Sequence, residues 1–236
     1  MFYTSDNKLY FKIIYYGMGG SGKTTILDTL YQITRTYNKS IIPIGDITKI
    51  DKASGATLYF DKGLFESTRQ NQIYYQIFTV AGQTSYAPLR KKVYEGSDGI
   101  VFVVDSQVHR FKENVESLKE LMKFSHNSLI KEIPVVVMLN KQDLPHTISS
   151  PDFKAVLMDL NLWYDPEIKY NLWNPSVFET CALYPHHKNI FESFTDCARK
   201  TALYQFYGKG KAPIDDNVVK RMIKYGFLKK EPIPTV

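Results

Sequence analysis

The chain of 236 residues is 44% hydrophobic and 14% aromatic, so it can bury a full core and suits one domain with additions. Its longest apolar runs, such as residues 99–104 and 133–139, are strand length. They fall far short of the roughly 20 residues a spanning helix requires, so no membrane span is expected. The formal charge of +6 lies wholly in residues 199–236, which hold nine Lys/Arg against three acids, while residues 1–198 balance at 21 of each. The body therefore shows no basic signature for nucleic acid. Two cysteines, Cys181 and Cys197, in a chain this long point to core thiols in a reducing compartment rather than a disulfide framework. The N-terminus shows no signal-peptide pattern and has Phe2 where a myristoylated chain has glycine, so the expected location is cytoplasmic.

In chain order, Leu9–Tyr16 is an apolar run predicted to be a strand. It leads into Gly17-Met18-Gly19-Gly20-Ser21-Gly22-Lys23-Thr24, after which Ile26, Leu27, Leu30 and Ile33 recur at helical spacing as far as about Arg35. Strand, glycine loop and helix together make a phosphate-binding loop. The glycines let successive N–H groups turn inward around an anion, and the helix start adds free donors and a positive dipole end. Lys23 offers a charge for the β- and γ-phosphates of a nucleotide, and Thr24 offers its hydroxyl to Mg²⁺. Thr36–Ala56, containing Pro43, Gly45, Asp46 and Gly55, has no period and is expected to be a long loop beside the nucleotide.

Thr57–Asp61 and Gln72–Val80 read as strands, with Ser67–Asn71 between them making a hairpin. A break at Ala81-Gly82-Gln83-Thr84-Ser85 precedes a short helix over Tyr86–Glu95. Ile100–Val104 and Val135–Leu139 are continuous apolar strands of the kind buried in a parallel sheet. Phe111, Val115, Leu118 and Met122 mark the helix between them, and Pro151–Leu160 is a further helix. Ser176–Thr180 is a last short strand, and Phe191, Phe194, Ala198 and Ala202 mark a closing helix. This alternation predicts an α/β fold, a doubly wound, mostly parallel sheet with helices on both faces and ligands at the carboxyl ends of its strands. Residues 1–207 are read as that domain. Residues 208–236 are read as a basic extension, with a linker at Gly208–Pro213 and a short helix from Asp215 or Asp216 to Tyr225, stopped by Gly226. On that helix Val219, Met222 and Ile223 lie together, and Phe227 can fold back. Docking on its own domain, a protein partner and peripheral contact with an anionic membrane are the three uses open to the extension.

Asn140-Lys141-Gln142-Asp143 falls where a parallel strand ends, and its chemistry suits guanine. The Asp143 carboxylate can accept from both guanine N1–H and the exocyclic amine, a pair adenine does not present. Lys141 can lay its stem along the base, and Asn140 can tie this turn to the phosphate loop. The five histidines show no metal-site spacing, and the carboxylates form no acid/base pair.

These motifs stand in the order found in Ras-like small GTPases, which are P-loop NTPases, and residues 9–207 resemble that family. The matching pieces are GMGGSGKT at 17–24, a switch threonine at Thr57, AGQ at 81–83, NKQD at 140–143 and TCA at 180–182. NKQDLP and FVVDS resemble Arf proteins, whereas KIIYYG, SGKTT, ATLYFD and TVAGQ are similar to the bacterial polarity GTPase MglA.

The resemblance implies a GTP/GDP-binding molecular switch that hydrolyses GTP with Mg²⁺ as cofactor. Nucleotide contacts would come from Gly19, Gly20, Ser21, Gly22, Lys23, Thr24, Thr25, Gly82, Asn140, Lys141, Asp143, Cys181 and Ala182, the last giving its N–H to guanine O6. Thr24 and Thr57 would hold the metal, while Gln83 orients water beside Lys23 and Thr57. Protein effectors and regulators are implied as partners, among them a roadblock-type activator, and nucleic acid is not.

Three departures stand out. Thr79 occupies the place of the aspartate that usually faces the metal's water, Ala56 replaces the arginine that MglA-like proteins carry beside the switch threonine, and Phe2 replaces the Arf glycine. Hydrolysis is therefore expected to be slow without an activating protein. A GTP-holding scaffold with negligible turnover is the alternative, and a nucleotide kinase lacks its arginine-rich lid here. Between Asp143 and Cys181 the chain is about a dozen residues longer than a minimal domain of this type, the excess falling at Trp163–Trp173. That segment is read as a packed surface loop or as a cover for base or partner.

Overall fold

A computed structural model describes residues 1–37, 39–50, 60–70, 72–80 and 87–228. In chain order the elements are β1 (Phe2–Tyr3), β2 (Leu9–Tyr16), α1 (Lys23–Thr36), β3 (Ile41–Pro43), β4 (Thr48–Ile50), β5 (Phe60–Ser67), β6 (Ile73–Thr79) and α2 (Ala87–Tyr94). There follow β7 (Gly99–Asp105), α3 (Phe111–Phe124), β8 (Val135–Asn140), α4 (Ser150–Asp159), β9 (Ser176–Glu179), α5 (Ile190–Gly208) and α6 (Asp216–Lys224).

Continuous apolar strands force a sheet covered on both faces, and residue alternation within each strand assigns the faces. Ile13, Tyr15, Val101, Val103, Val136 and Met138 point to a cluster with Ile26, Leu27 and Leu30 of α1 and Phe194 and Cys197 of α5. Ile14, Tyr16, Ile100, Phe102, Val104, Val135, Val137 and Leu139 point the other way, to Val93 of α2, Leu118 and Leu121 of α3, and Phe153 and Leu157 of α4. The sheet runs β3-β5-β6-β2-β7-β8-β9, with β1 added to β2 and β4 to β5. From β6 to β9 all neighbours are parallel, whereas β5 pairs antiparallel with β6, β3 and β4. Five parallel strands therefore end on one edge, at Tyr16, Thr79, Asp105, Asn140 and Glu179.

The expected hairpin is present, and its first strand continues to Ser67. The expected featureless loop from Thr36 to Ala56 instead carries two three-residue strands on the sheet edge. They are too short to show a period, and Pro43, which has no N–H to donate, sits in β3 where an edge tolerates it. Ser149 and Asp152 close a capping box around Pro151 at the start of α4.

The C-terminal extension packs against the body. Asp215 caps α6 by accepting from the Asn217 and Val218 N–H groups. Gly226, at φ 73°, turns the chain so that the Phe227 N–H donates to the Met222 carbonyl at 2.8 Å, and the Phe227 ring meets Tyr207 of α5. Met222 is fully buried in the core cluster of α2, α3 and α4. The Trp163–Trp173 insertion meets the same segment. Trp173 is buried edge-on against Tyr204, and its indole N–H donates to the Pro213 carbonyl at 3.3 Å, while Lys169 pairs with Asp216. Among the described residues no helix is long and apolar enough to cross a membrane.

Truncating Met222 removes a buried side chain from a site that holds two segments together. Met222→Ala should lower stability to urea by about 2 to 5 kcal/mol, while the exposed Lys220→Ala changes it by less than about 0.5 kcal/mol. Equal midpoints for the two variants would show that α6 is not docked in solution.

Candidate functional site

The carboxyl edge of the sheet is built from the loops that follow its parallel strands, and close approach fixes where glycine must stand. A Cβ on Gly17 would come within 2.2 Å of the Val103 carbonyl oxygen on β7, and one on Gly22 within 2.4 Å of Asn140 Nδ2. Gly22, left-handed at φ 95°, is the N-cap of α1 and provides no side-chain acceptor. The first-turn N–H groups of α1 are thus left to an external anion. Ser21 is buried in this loop, Gly19 and Gly20 form its outer turn, and Thr24 and Thr25 are exposed at the helix start.

Lys23 is buried and its Nζ turns back on the loop. It donates to the Gly17 and Met18 carbonyls at 2.9 and 2.7 Å and to Ser21 Oγ at 3.3 Å. Burial, reinforced by the charge of Arg90, draws its pKa down to about 7. A phosphate placed over the loop would give this ammonium an anionic partner in place of carbonyls.

The Asn140–Asp143 turn meets this loop directly. Asn140 Nδ2 donates to the Ser21 carbonyl at 2.9 Å, and Asn140 Oδ1 accepts from Thr180 Oγ1 at 3.5 Å. Lys141 takes a left-handed backbone, φ 70°, and its Nζ is held 2.7 Å from Asp105 Oδ2 at the end of β7. Burial works against charge on Asp105, but its bonds from Lys141 and Gln107 hold the carboxyl below the usual range. The Lys141 stem is thereby fixed as a shelf. Asp143 is exposed and lies beside the Cys181 thiol, whose pKa is raised by burial and by that carboxylate. Cys181 and Ala182 are buried, and the Ala182 carbonyl accepts from Thr29 Oγ1 of α1 at 2.5 Å. Phosphate loop, Asn140–Asp143 and Cys181–Ala182 therefore form one continuous rim. Burial pushes the other thiol, Cys197, up to about 12, so neither cysteine is poised as a thiolate.

Thr57, Gly82 and Gln83 lie outside the described residues, as does Ala56. Two residues that the sequence reading did not single out sit at the phosphate loop. Asp61, at the start of β5, accepts through Oδ2 from Thr24 Oγ1 at 2.6 Å and from Thr79 Oγ1 at 3.0 Å. Arg110, just before α3, donates to the Gly19 carbonyl at 3.3 Å and pairs with Glu113 at 2.9 Å. No motif spacing marks either one, since both arrive through tertiary packing. Arg90 is engaged elsewhere, in a two-point pair with Glu120 at 2.8 and 2.7 Å that Tyr16 also joins. Arg35 is held by Asp46 and the Gly45 carbonyl. The oxygens of Thr24, Asp61 and Thr79, hydroxyl and carboxylate with no nitrogen or sulfur, fit the ligand preference of magnesium. Among the described residues no group of three His, Cys, Asp or Glu side chains could hold a metal.

The chain is similar to known proteins in sequence and in fold. The sequence profile of the ADP-ribosylation factor family matches residues 3–194. The chain is 34% identical over 163 residues to the mutual gliding-motility protein MglA of Myxococcus xanthus, covering 67% of this chain and 80% of that protein. It is 29% identical over 175 residues to ADP-ribosylation factor-like protein 6 of Caenorhabditis elegans, covering 72% and 77%. In fold it is similar to the Arl6 BBS3 small GTPase of Trypanosoma brucei, solved with the nucleotide analogue GppNp, at a TM-score of 0.54 and 18% identity over 82% of this chain and 98% of that one.

The depressed Lys23 sets a linkage that calorimetry can read. A polyphosphate raises a neighbouring ammonium's pKa, so Lys23, largely neutral at pH 8 with the loop empty, should take up close to one proton per GDP bound at that pH. The sign follows. Lys23's contribution to affinity is full below pH 7 and weakens as pH rises through 7. Binding heats measured at pH 8 in buffers of different ionisation enthalpy should differ accordingly, and identical heats would show Lys23 to be charged already.

Proposed function

The chain belongs to the ADP-ribosylation factor family of small GTPases, and from that membership we propose that it is a GTP/GDP switch in the cytoplasm whose own hydrolysis is slow. One observation carries the assignment of its site: the 2.9 Å bond from Asn140 to the Ser21 carbonyl, which joins a phosphate cradle to a base-reading turn. The uncapped start of α1 and the loop N–H groups receive the phosphates, with Lys23 turning from the loop carbonyls to the β- and γ-oxygens. Lys141 supports the flat base along its stem, Asp143 accepts from its N1–H and amine, and the N–H of Ala182 meets O6. Magnesium, when bound, neutralises phosphate charge, and Thr24 is the hydroxyl placed to hold it. Gln83 orients the attacking water, while Thr57 and the N–H of Gly82 sense the γ-phosphate and pass its presence to effectors.

Slow turnover follows from what is committed elsewhere. Arg90 and Arg35 are engaged by Glu120 and Asp46, and Arg110 is turned to the Gly19 carbonyl and paired with Glu113. With these three arginines engaged, a partner's arginine is the proposed source of the missing cation, and Arg69 is the alternative within the chain. MglA-like relatives make a roadblock-type activator the first to try. The exposed basic residues Lys220, Arg221 and Lys224 leave α6 free for peripheral contact with an anionic membrane or a protein while Met222 stays docked.

Two measurements test this reading. In competition binding GDP should bind far more tightly than ADP, and Asp143→Asn should shift preference toward xanthine nucleotides, whose 2-oxo group takes a donor from the new amide. Equal affinity for GDP and ADP would remove the guanine assignment. In single-turnover hydrolysis the unaltered chain should run at about 10⁻⁴ s⁻¹. Gln83→Leu should be slower, and Ala56→Arg should lose nothing. A parent rate near 1 s⁻¹ that collapses in Arg110→Ala would mean that the chain carries its own finger. No detectable hydrolysis would make it a GTP-holding scaffold.

A further inference from the structure

Thr79 stands where a carboxylate is expected, and a neutral hydroxyl brings no charge to a divalent cation. The charge is nevertheless present. β5 runs antiparallel to β6 with Lys62 opposite Phe78, which carries the preceding residue of β5, Asp61, to Thr79 at the end of β6. There the backbone N–H of Asp61 donates to Thr79 Oγ1 at 3.0 Å, and the same hydroxyl donates to Asp61 Oδ2 at 3.0 Å. The reciprocal pair fixes the rotamer of the carboxylate and aims Oδ2 at Thr24, 2.6 Å from its hydroxyl at the mouth of the phosphate loop. Thr79 is buried and Asp61 half-buried, so the carboxylate lies at the rim of the site with one hydroxyl beneath it and one beside it.

We propose that Asp61, held by Thr79, supplies the carboxylate of the magnesium site, so that β5 rather than β6 provides the negative charge facing the cation beside Thr24. This rests on the reading of the site as one for magnesium and a guanine nucleotide. Thr79 is then a positioning residue, and its hydroxyl is needed because it can accept from the Asp61 backbone and donate to its side chain at once. A magnesium ion lying beside the Thr24 hydroxyl would take the place of the proton that Thr24 now shares with Asp61, so metal binding replaces a hydrogen bond with a charge contact and disturbs no backbone.

The test is the release rate of a fluorescent GDP from the full chain as free magnesium is titrated from micromolar to millimolar, with an EDTA control. Magnesium should slow release in the unaltered protein. In Asp61→Asn the magnesium midpoint, read against that variant's own release rate in EDTA, should rise by about 10- to 100-fold, the cost typical of losing a supporting carboxylate. Asp61→Asn combined with Thr79→Asp moves the carboxylate back to β6 and should restore most of the magnesium response, an outcome that a purely structural role for Asp61 would not produce. A normal magnesium response that persists unchanged in Asp61→Asn would overturn the Asp61 assignment alone. Release from the unaltered chain that ignores magnesium throughout would overturn both it and the reading of the site as one for magnesium, whereas a chain that retains no fluorescent GDP at all would overturn the nucleotide reading beneath them.

Discussion

The site depends on a single amide bridging two loops that are far apart in sequence. Asn140 leaves the end of β8, passes across the face of Gly22 where no Cβ could stand, and bonds the Ser21 carbonyl. A buried donor left without that acceptor costs about 1 to 3 kcal/mol, so the phosphate loop and the base turn are held in one geometry whether or not a ligand is present. Gly17 closes the other side by resting on the Val103 carbonyl. The loop is thereby clamped between β7 and β8, and its N–H groups are aimed before any phosphate arrives. Such preorganisation leaves little reorganisation to offset when the ligand enters.

What the amino-acid order revealed was whatever could be written in short-range pattern. The strands Ile100–Val104 and Val135–Leu139 are apolar without interruption because both faces are covered, and that is visible in a window of six residues. The glycine loop and Asn140–Asp143 were legible because backbone geometry dictates their residue types. β3 and β4 were not, since three residues on an edge, one of them Pro43, leave no period to detect. Asp61 was read as the end of a strand and nothing more, because its meaning lies in Thr24 and Thr79, which only the antiparallel turn of β5 brings near. Arg110 was passed over for a similar reason, its contact with Gly19 spanning 91 residues.

The insertion and the C-terminal extension, which looked like two separate additions, bury each other. Trp173 gains its partner from Pro213 and Tyr204, and Ala212 donates its N–H to the Lys131 carbonyl at 2.7 Å. Neither segment could bury its aromatic and aliphatic side chains alone. A cavity of about 830 Å³ beside them, bordered by Lys154, Trp163, Tyr164 and Arg199, is separate from the phosphate loop. The additions thus enlarge the core on the α2, α3 and α4 face of the sheet.

The start of α1 has a further consequence. Serine, threonine and aspartate are favoured at helix starts, as Ser149 and Asp215 show for α4 and α6, whereas α3 and α5, like α1, start without a side-chain cap. α1 begins on bare Gly22, with Lys23, its pKa drawn down by burial, folded into the loop behind it. A nucleotide bound there would supply the cap it lacks, and would so become part of the folded structure as well as its signal. A ligand that binds only the folded form stabilises it by RT ln(1 + [L]/Kd), about 4 kcal/mol at a thousandfold excess over Kd. An emptied loop would forgo that stabilisation, so a partner that held it between two nucleotides would act as a chaperone for the fold as much as a catalyst of exchange.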